Sequence, residues 1–227
     1  MADLKEFEER IGYEFKDKSL LITSLTHSSY GHEKGVSFNE RMEFLGDAVL
    51  ELVSSEFLYL NYPDKAEGEL TKIRASLVCE PTLASIAREI GLGKYIQLSY
   101  GENKTGGRER DSVLSDALEA TIGAVFLDGG MEQAKAYVER FVLTDIESKH
   151  LFYDAKTVLQ EAVQSGHDGK LIYNIIKEEG PAHDKTFTVA VEINGNVLGE
   201  GTGRSKKHAE MQAAYNALVF LKKEGKI

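Results

Sequence analysis

This sequence contains one cysteine and no long apolar run. These two features argue against a disulfide-stabilised protein and against a membrane protein. The single cysteine, Cys79, cannot form an intramolecular disulfide bond. There is no apolar run of about 18 residues and no N-terminal apolar segment, so we expect a cytoplasmic protein without a membrane partner. The six histidines lack the spacing of a zinc site. A catalytic metal must therefore be held mainly by oxygen, which favours Mg²⁺ or Mn²⁺.

Charge is distributed unevenly along the 227 residues. Residues 151–227 hold 10 basic and 10 acidic side chains, so the whole net charge of −10 belongs to the first 150 residues. The length and the 42% hydrophobic content predict a folded chain, for which we expect two domains. An acidic domain joined to a neutral one does not resemble a nucleic-acid binder by bulk charge, so local clusters decide the question.

The hydrophobic period changes near residue 150, which predicts two domains of different fold class. Helical periodicity dominates before that point, "GENKTGGRER" at 101–110 reads as a loop, and alternation with period two follows, with "NGN" at 194–196 as a hairpin signal. We predict an all-α domain over 1–149, a linker at 150–155 and an α+β domain with the order α-β-β-β-α over 156–227. The predicted helices are 3–10, 17–29, 37–60, 67–77, 80–90, 111–127, 130–149, 157–165 and 205–223.

The stretch "NERMEFLGDAVL" at 39–50 combines a core helix with a row of acids. Glu40, Glu43 and Asp47 fall within about 60° of one another on a helix. Phe44 projects near this acidic side and Gly46 weakens the helix, which indicates that something packs closely there. A solvated charged face is the alternative interpretation. The predicted core stripe on the opposite face consists of Met42, Leu45, Val49 and Leu52.

A second acidic pair, Asp116 and Glu119, lies in "DSVLSDALEATIGAVFLDGG" with a spacing of three residues. Small residues in this segment would let a neighbouring helix approach, and the 40–47 helix is a candidate: Ala117, Ala120, Gly123 and Ala124. Two such helices could enclose a carboxylate cluster that requires cations, which predicts a metal-dependent phosphodiesterase. A further acid, Glu67, begins "EGELTKIRASL".

"NERMEFLGDAVLELV" resembles the signature of the ribonuclease III family, and the resemblance extends over essentially the whole chain. It includes "GYEFKDKSLLITSLTHSSY", "EGELTKIRASLV" and "DSVLSDALEATIGAVFLDGG", while the tail resembles a double-stranded-RNA-binding domain. The resemblance implies an all-α endonuclease domain followed by an α+β RNA-binding domain, as in the bacterial form rather than Dicer.

This resemblance also implies roles for particular acids. It assigns Mg²⁺ binding, with Mn²⁺ expected to substitute, to Glu43, Asp116, Glu119 and Asp47. The usual catalytic residues match Asp47 and Glu119, and acids that assist match Glu40 and Glu67. Glu51 matches no functional residue of the family.

In the same way, the resemblance implies a symmetric homodimer that cuts both strands of an RNA duplex. Phe44 matches a residue that inserts into the partner subunit, and Gly46 is attributed to the same subunit contact. The products expected from the family carry 5′-phosphates, 3′-hydroxyls and short 3′ overhangs. The expected substrates are precursors of ribosomal RNA and some messenger and transfer RNAs.

Polar and basic side chains in the tail form the predicted RNA contacts. "RSKK" begins the last helix, where backbone N–H groups and adjacent lysines suit phosphate, although a solvated basic turn is the alternative. The resemblance implies contacts from the first helix, a loop and this helix start: Thr157, Gln160, Glu161, Gln164, His183, Arg204, Ser205, Lys206 and Lys207. The "GEGTG" at 199–203 fits no nucleotide-binding template, so we expect no nucleotide cofactor and assign these glycines to close backbone turns.

Two other function classes compete with the endoribonuclease. A non-catalytic RNA-binding scaffold would keep the fold and lose cleavage, and its expected sign is a missing acid, which this sequence does not show. An all-helical metal phosphohydrolase acting on small phosphates would not need the RNA-binding tail.

Overall fold

The computed structural model describes residues 4–166, 170–180 and 185–225. The chain forms two compact units, Met1–Ile146 and Glu147–Ile227. The first is helical and the second contains a three-stranded antiparallel sheet, which confirms the predicted fold class. The assignment of 150–155 as a linker stays a prediction; residues 146–153 are helical. No helix in the described ranges has both the length and the apolarity that crossing a membrane requires.

The helical unit is built from short amphipathic helices around two long ones, α4 and α8. Its helices are α1 (Leu4–Ile11), α2 (Lys18–Ser24), α3 (Ser28–Lys34), α4 (Glu40–Asn61), α5 (Glu67–Val78), α6 (Glu80–Glu89), α7 (Tyr100–Lys104), α8 (Asp111–Gly129) and α9 (Met131–Phe141).

Three predictions about this unit were wrong in detail. The helix predicted at 17–29 breaks because Thr26 pairs with Gln97 in an isolated parallel bridge. The loop predicted at 101–110 contains most of α7 and a 3₁₀ turn at Gly107–Glu109. The helix predicted at 130–149 ends at Phe141, and α10 (Ile146–Tyr153) begins after Asp145, whose φ of 49° is left-handed.

Helices α4 and α8 touch through their backbones, because both carry glycine at the contact. A Cβ added to Gly46 would overlap the carbonyl oxygen of Glu119, and one added to Gly123 would overlap the carbonyl oxygen of Met42. The expected helix neighbours are therefore confirmed. The attribution of Gly46 to a subunit contact is wrong, because Gly46 is buried against α8 of the same chain.

The predicted core stripe of α4 is correct at three of its four positions. Val49 is buried, and Met42 and Leu45 pack partly buried against the core. Leu52, however, is 57% exposed. Leu52 lies within about 20° of the partly buried Leu45 around the helix, so helical periodicity predicted its direction but could not predict that this turn of α4 is left largely uncovered by the described residues.

The second unit packs one face of a sheet against two helices. Its elements after α10 are α11 (Ala155–Gly166), β1 (Leu171–Glu179), β2 (Thr186–Ile193), β3 (Asn196–Gly203) and α12 (Lys206–Lys223), in the sheet order β1-β2-β3. Val189, Val191 and Ile193 are buried at alternate positions. Asn194 and Gly195 have positive φ in the predicted hairpin turn.

The glycines of "GEGTG" lie within β3 and serve helix packing, so their assignment to turns was wrong. A Cβ on Gly199 would lie 2.6 Å from the carbonyl oxygen of Ala213. One on Gly201 would lie 2.5 Å from the carbonyl oxygen of Ala209. Residues without a Cβ thus let α12 lie directly on the sheet.

Candidate metal centre and RNA-binding surface

The first turn of α4 is fixed by backbone hydrogen bonds around Asn39. The carbonyl of Asn39 accepts from the N–H of Met42 at 2.8 Å and of Glu43 at 2.9 Å, and its own N–H donates to the carbonyl of Thr26 at 2.9 Å. Asn39 and Thr26 are buried. The turn that carries Glu40 and Glu43 is therefore anchored to the segment between α2 and α3.

Three carboxylates from the two touching helices converge. Glu43 of α4 and Asp116 and Glu119 of α8 each offer an oxygen atom, and these oxygens lie within 4.8 Å of one another. All three residues are half-buried. The glycine contact between the helices brings the backbones close enough for these side chains to share one site.

The electrostatics of this acidic cluster, defined as Glu43, Asp116 and Glu119, oppose its ionisation. Burial raises the pKa of Glu119 to about 8, with further contributions from Asp47 and Asp116. Burial also raises the pKa of Glu43, as do the negative charges of Asp116, Glu40 and Asp47.

The pKa of Asp116 is raised as well, because burial outweighs two favourable neighbours. The Ser115 hydroxyl donates to the Asp116 Oδ1 at 3.3 Å and the charge of His27 favours ionisation, while Glu40 opposes it. Closely spaced carboxylates with raised pKa values are stabilised by a cation.

The donor set fits a hard divalent cation. All three groups of the cluster are carboxylates, and each offers one oxygen to a common position. Mg²⁺ and Mn²⁺ prefer such oxygen ligands, and Mg²⁺ is commonly held by few carboxylates together with water and substrate phosphate. The arrangement can therefore hold a metal where a phosphate could approach.

The other acids predicted for the site are exposed and lie outside this set of three. Asp47 is near enough to raise the pKa of Glu119, and Glu40 is near enough to raise that of Glu43. Glu67 begins α5 and accepts a hydrogen bond from the Thr71 hydroxyl at 3.0 Å.

Two residues outside the predicted metal set, Glu51 and His27, have structural partners of their own. Glu51 forms an ion pair with Arg74, with 2.7 Å between Oε2 and Nε. His27 caps the N-terminus of α3, where its Nδ1 accepts from the N–H of Ser29 at 3.2 Å. Both observations agree with leaving these residues out of the metal set.

Sequence reasoning missed two residues that affect the cluster. Ser115 donates to Asp116, and the only signal for it is its position next to that acid. Glu80, the first residue of α6, has a pKa that is raised by burial and by the charges of Asp111 and Asp116. No pattern in the sequence connects Glu80 to α8, because the two elements meet only in the folded chain.

In the second unit, α11 has one polar exposed face and one buried face. Ala155, Leu159 and Val163 are buried against the sheet and α12. The four predicted contact residues of this helix are all exposed on its other side: Thr157, Gln160, Glu161 and Gln164.

The start of α12 presents basic side chains to solvent. Arg204, Ser205, Lys206 and Lys207 are exposed, and the Ser205 hydroxyl caps the helix by accepting from the N–H of His208 at 3.2 Å. Lys206 Nζ lies 5.6 Å from the centre of the Phe187 ring. The remaining predicted contact, His183, lies outside the described residues.

Comparison with known protein families assigns both units. Residues 17–146 match the model described as ribonuclease-III-like, and residues 155–221 match the double-stranded RNA binding motif. The two matches cover the acidic cluster and the basic start of α12 respectively.

Individual relatives are similar over almost the full chain. Ribonuclease 3 of Desulforamulus reducens is 49% identical over 223 residues, which covers 96% of this chain and 91% of that protein. Ribonuclease 3 of Clostridium perfringens is 48% identical and covers 96% and 94%. A solved nuclease domain of ribonuclease III from Campylobacter jejuni, described with a region involved in dimer formation, has a TM-score of 0.59 and 48% identity over 62% of this chain and 96% of that one.

Proposed function

Because this chain belongs to the ribonuclease III family, we propose that it hydrolyses double-stranded RNA with Mg²⁺ bound at the acidic cluster. The observation that carries the proposal is the convergence of Glu43, Asp116 and Glu119 within 4.8 Å. These half-buried carboxylates have raised pKa values and repel one another when ionised, and a bound cation would offset that repulsion.

Each acid has a distinct part in this proposal. Glu43, Asp116 and Glu119 hold the metal, and Asp47 lies beside them as a further ligand. Asp47 and Glu119 are the proposed catalytic residues, while Glu40 and Glu67 assist at the scissile phosphate. When bound, Mg²⁺ supplies Lewis-acid stabilisation of the phosphate charge and lowers the pKa of water to generate the nucleophile. Mn²⁺ is expected to replace Mg²⁺ because it accepts the same oxygen ligands.

Substrate binding belongs mainly to the second unit. The double-stranded RNA binding motif covers the exposed polar face of α11 and the capped, basic start of α12. Phosphate is attracted to N–H groups and lysines at a helix start, and polar side chains suit the 2′-hydroxyls of the minor groove. The negative charge of the first unit, which includes the carboxylates that hold the metal, repels RNA. RNA affinity is therefore expected to come from the second unit.

A second copy of this chain completes the proposed assembly. Phe44 is 80% exposed on α4, beside the acids. An aromatic ring of this exposure is unfavourable in water and suits an interface. The homodimer would contain two acidic clusters, one in each subunit, and each would cut one strand of the duplex. The products would carry 5′-phosphates, 3′-hydroxyls and short 3′ overhangs. We propose ribosomal RNA precursors and some messenger and transfer RNAs as substrates; the cytoplasmic location stays a prediction.

Cleavage of a long, end-labelled RNA duplex tests the proposal. The same mixture is incubated with Mg²⁺, with Mn²⁺ or with a chelator, and the product ends are identified. We expect metal-dependent cutting that leaves 5′-phosphates. Binding without cutting in either metal would favour an RNA-binding scaffold. Hydrolysis of small phosphate esters that does not change when residues 147–227 are removed would favour a small-molecule phosphohydrolase.

A further inference from the structure

Helix α10 packs against α12, within the second unit, through an aromatic contact. Phe152 lies near the C-terminal end of α10. The centroid of its ring is 5.6 Å from that of His208 and 5.7 Å from that of Tyr215. Both partners belong to α12, seven residues apart and therefore on one side of it. All three side chains are half-buried. The segment expected to be a linker thus contributes a ring to the side of α12.

His208 is also in close contact with the end of β3. A Cβ added to Gly203 would lie 2.6 Å from His208 Nδ1 and 2.8 Å from the backbone nitrogen of Ala209. The absence of a side chain at position 203 therefore makes room for the imidazole. Nδ1 is buried and has no hydrogen-bond partner among the described residues, so packing, rather than a bond at this atom, holds that edge of the ring.

The confined ring belongs to the same turn as the basic residues. Gly203 is followed directly by Arg204 and Ser205, and the Ser205 hydroxyl accepts from the His208 N–H at 3.2 Å. The side chain and the backbone of His208 are therefore both tied to the segment that carries Lys206 and Lys207. Moving the imidazole would disturb the cap and the direction in which these basic groups point.

We propose that Phe152 is a positioning residue for RNA binding. It holds His208 against Gly203, and through His208 it fixes the first turn of α12 in the conformation that presents Arg204, Lys206 and Lys207 to phosphate. The inference rests on the proposed RNA-binding role of this helix start. It adds that a residue of α10, outside the stretch 155–221 that matches the RNA-binding motif, is part of the binding apparatus.

Other contacts hold α11 to α12 without Phe152. Lys156 forms an ion pair with Glu210, with 2.6 Å between Nζ and Oε2. The common core is formed by buried apolar residues of α11, β2 and α12, among them Leu159, Val163 and Leu218. Removing the Phe152 ring therefore leaves the packing of the unit in place and loosens the first turn of α12.

Binding and cleavage by full-length variants test this inference. Affinity for a short fluorescent RNA duplex is measured without metal, and kcat and KM are measured with Mg²⁺, for Phe152→Ala, Phe152→Tyr and the control Tyr153→Ala. Tyr153 is the exposed neighbour of Phe152 on the same helix. Since an aromatic contact contributes modestly, Phe152→Ala is expected to weaken RNA binding about three- to tenfold. The change should appear in KM, with kcat at saturating RNA within about twofold.

The two controls should separate positioning from general damage. Phe152→Tyr keeps the ring and should restore wild-type affinity, and Tyr153→Ala should leave it unchanged. In a double-mutant cycle, His208→Ala should weaken binding alone and add little to Phe152→Ala, because both changes remove one contact. If Phe152→Ala unfolds the unit at the assay temperature, Phe152→Leu, which keeps apolar volume without the ring, replaces it.

The outcomes distinguish this inference from the proposed function. Wild-type affinity in Phe152→Ala or Phe152→Leu, with the wild type itself binding and cutting RNA, would overturn the positioning role alone. Additive effects in the cycle would also overturn it. A wild-type protein that does not bind the duplex would instead contradict the proposed function.

Discussion

Gly46 of α4 and Gly123 of α8 bring two helix backbones into direct contact, with the amide nitrogen of Gly46 only 3.1 Å from where a Cβ of residue 123 would lie. The carboxylates of the acidic cluster project from these same two helices. A change in the distance between the helices therefore changes the distance between Glu43 and its partners on α8.

Alanine at Gly46 is expected to destabilise the protein and to reduce cleavage. Its methyl group would overlap the Glu119 carbonyl, and overpacking of this kind typically costs about 1–3 kcal/mol of unfolding free energy. Denaturant unfolding and Mg²⁺-dependent duplex cleavage measure the two effects. Gly68→Ala is the control, since a Cβ there meets nothing within 4 Å in helix α5 and alanine should be neutral or slightly stabilising. Equal behaviour of the two variants would contradict the contact.

The metal-free protein is expected to lose stability as the pH rises from about 4.5 to about 8. The folded-state pKa of Glu119 is about 8 against an ordinary value of 4.5, so the folded state binds the extra proton within this window. Stability is therefore greatest at the acid end of the window and falls across it, because the unfolded chain releases this proton at a lower pH than the folded chain does. Thermal unfolding in chelator at several pH values measures this slope.

Two changes should flatten that pH dependence. Glu119→Gln removes the titrating group, and Mg²⁺ stabilises the ionised carboxylates, so each should raise the unfolding temperature at pH 8 relative to the metal-free wild type. If the unfolding temperature of the wild type in chelator rises between pH 6 and pH 8, this explanation is contradicted, because it requires a fall.

Lys207→Ala should weaken RNA binding and make it less sensitive to salt. Lys207 is exposed at the capped start of α12, and removing one phosphate contact lowers the slope of log affinity against log salt by about one. Lys222→Ala, an exposed lysine in the last turn of the same helix, is the matched control and should change the slope little. Binding titrations at four salt concentrations provide the comparison; identical slopes would argue against a phosphate contact.

Phe44→Ala is expected to weaken self-association. Burial of a phenylalanine side chain contributes about 1.5–3 kcal/mol, so the dimer dissociation constant should rise at least about tenfold. Sedimentation equilibrium of the full chain measures this constant. Tyr100→Ala changes another strongly exposed aromatic residue and should leave association unchanged. A wild type that stays monomeric at high concentration would remove the basis for the proposed dimer.

Local pattern was sufficient to predict most elements, and long-range contacts account for most errors. The hydrophobic period predicted α4, α8 and the order α-β-β-β-α, because these elements have one clearly apolar side. The break near Thr26 depends on Gln97, far away in sequence, and no local signal marks it. Helix α10 was not recognised as a separate element, because its first residues were assigned to the helix predicted at 130–149, its last residues were assigned to the linker, and its aromatic partners lie on α12, which is distant in sequence.

The candidate site was predictable to a similar extent and for similar reasons. Acid spacing and family resemblance together indicated Glu43, Asp116 and Glu119, which the fold brings together. Gly46 was correctly recognised as a close contact, but its neighbour was misidentified, because a sequence cannot distinguish a contact with α8 from a contact with another subunit. Glu80 was missed since only the tertiary fold places it near Asp116.

The most direct test of the central claim is a titration with Mn²⁺, followed by electron paramagnetic resonance, of the wild type, Glu119→Gln and the control Glu132→Gln. Glu132 is an exposed acid in the first turn of α9. If the acidic cluster holds the catalytic metal, Glu119→Gln should bind Mn²⁺ at least about tenfold more weakly and lose duplex cleavage, while Glu132→Gln matches the wild type. Equal Mn²⁺ affinity and equal cleavage in all three proteins would contradict the claim.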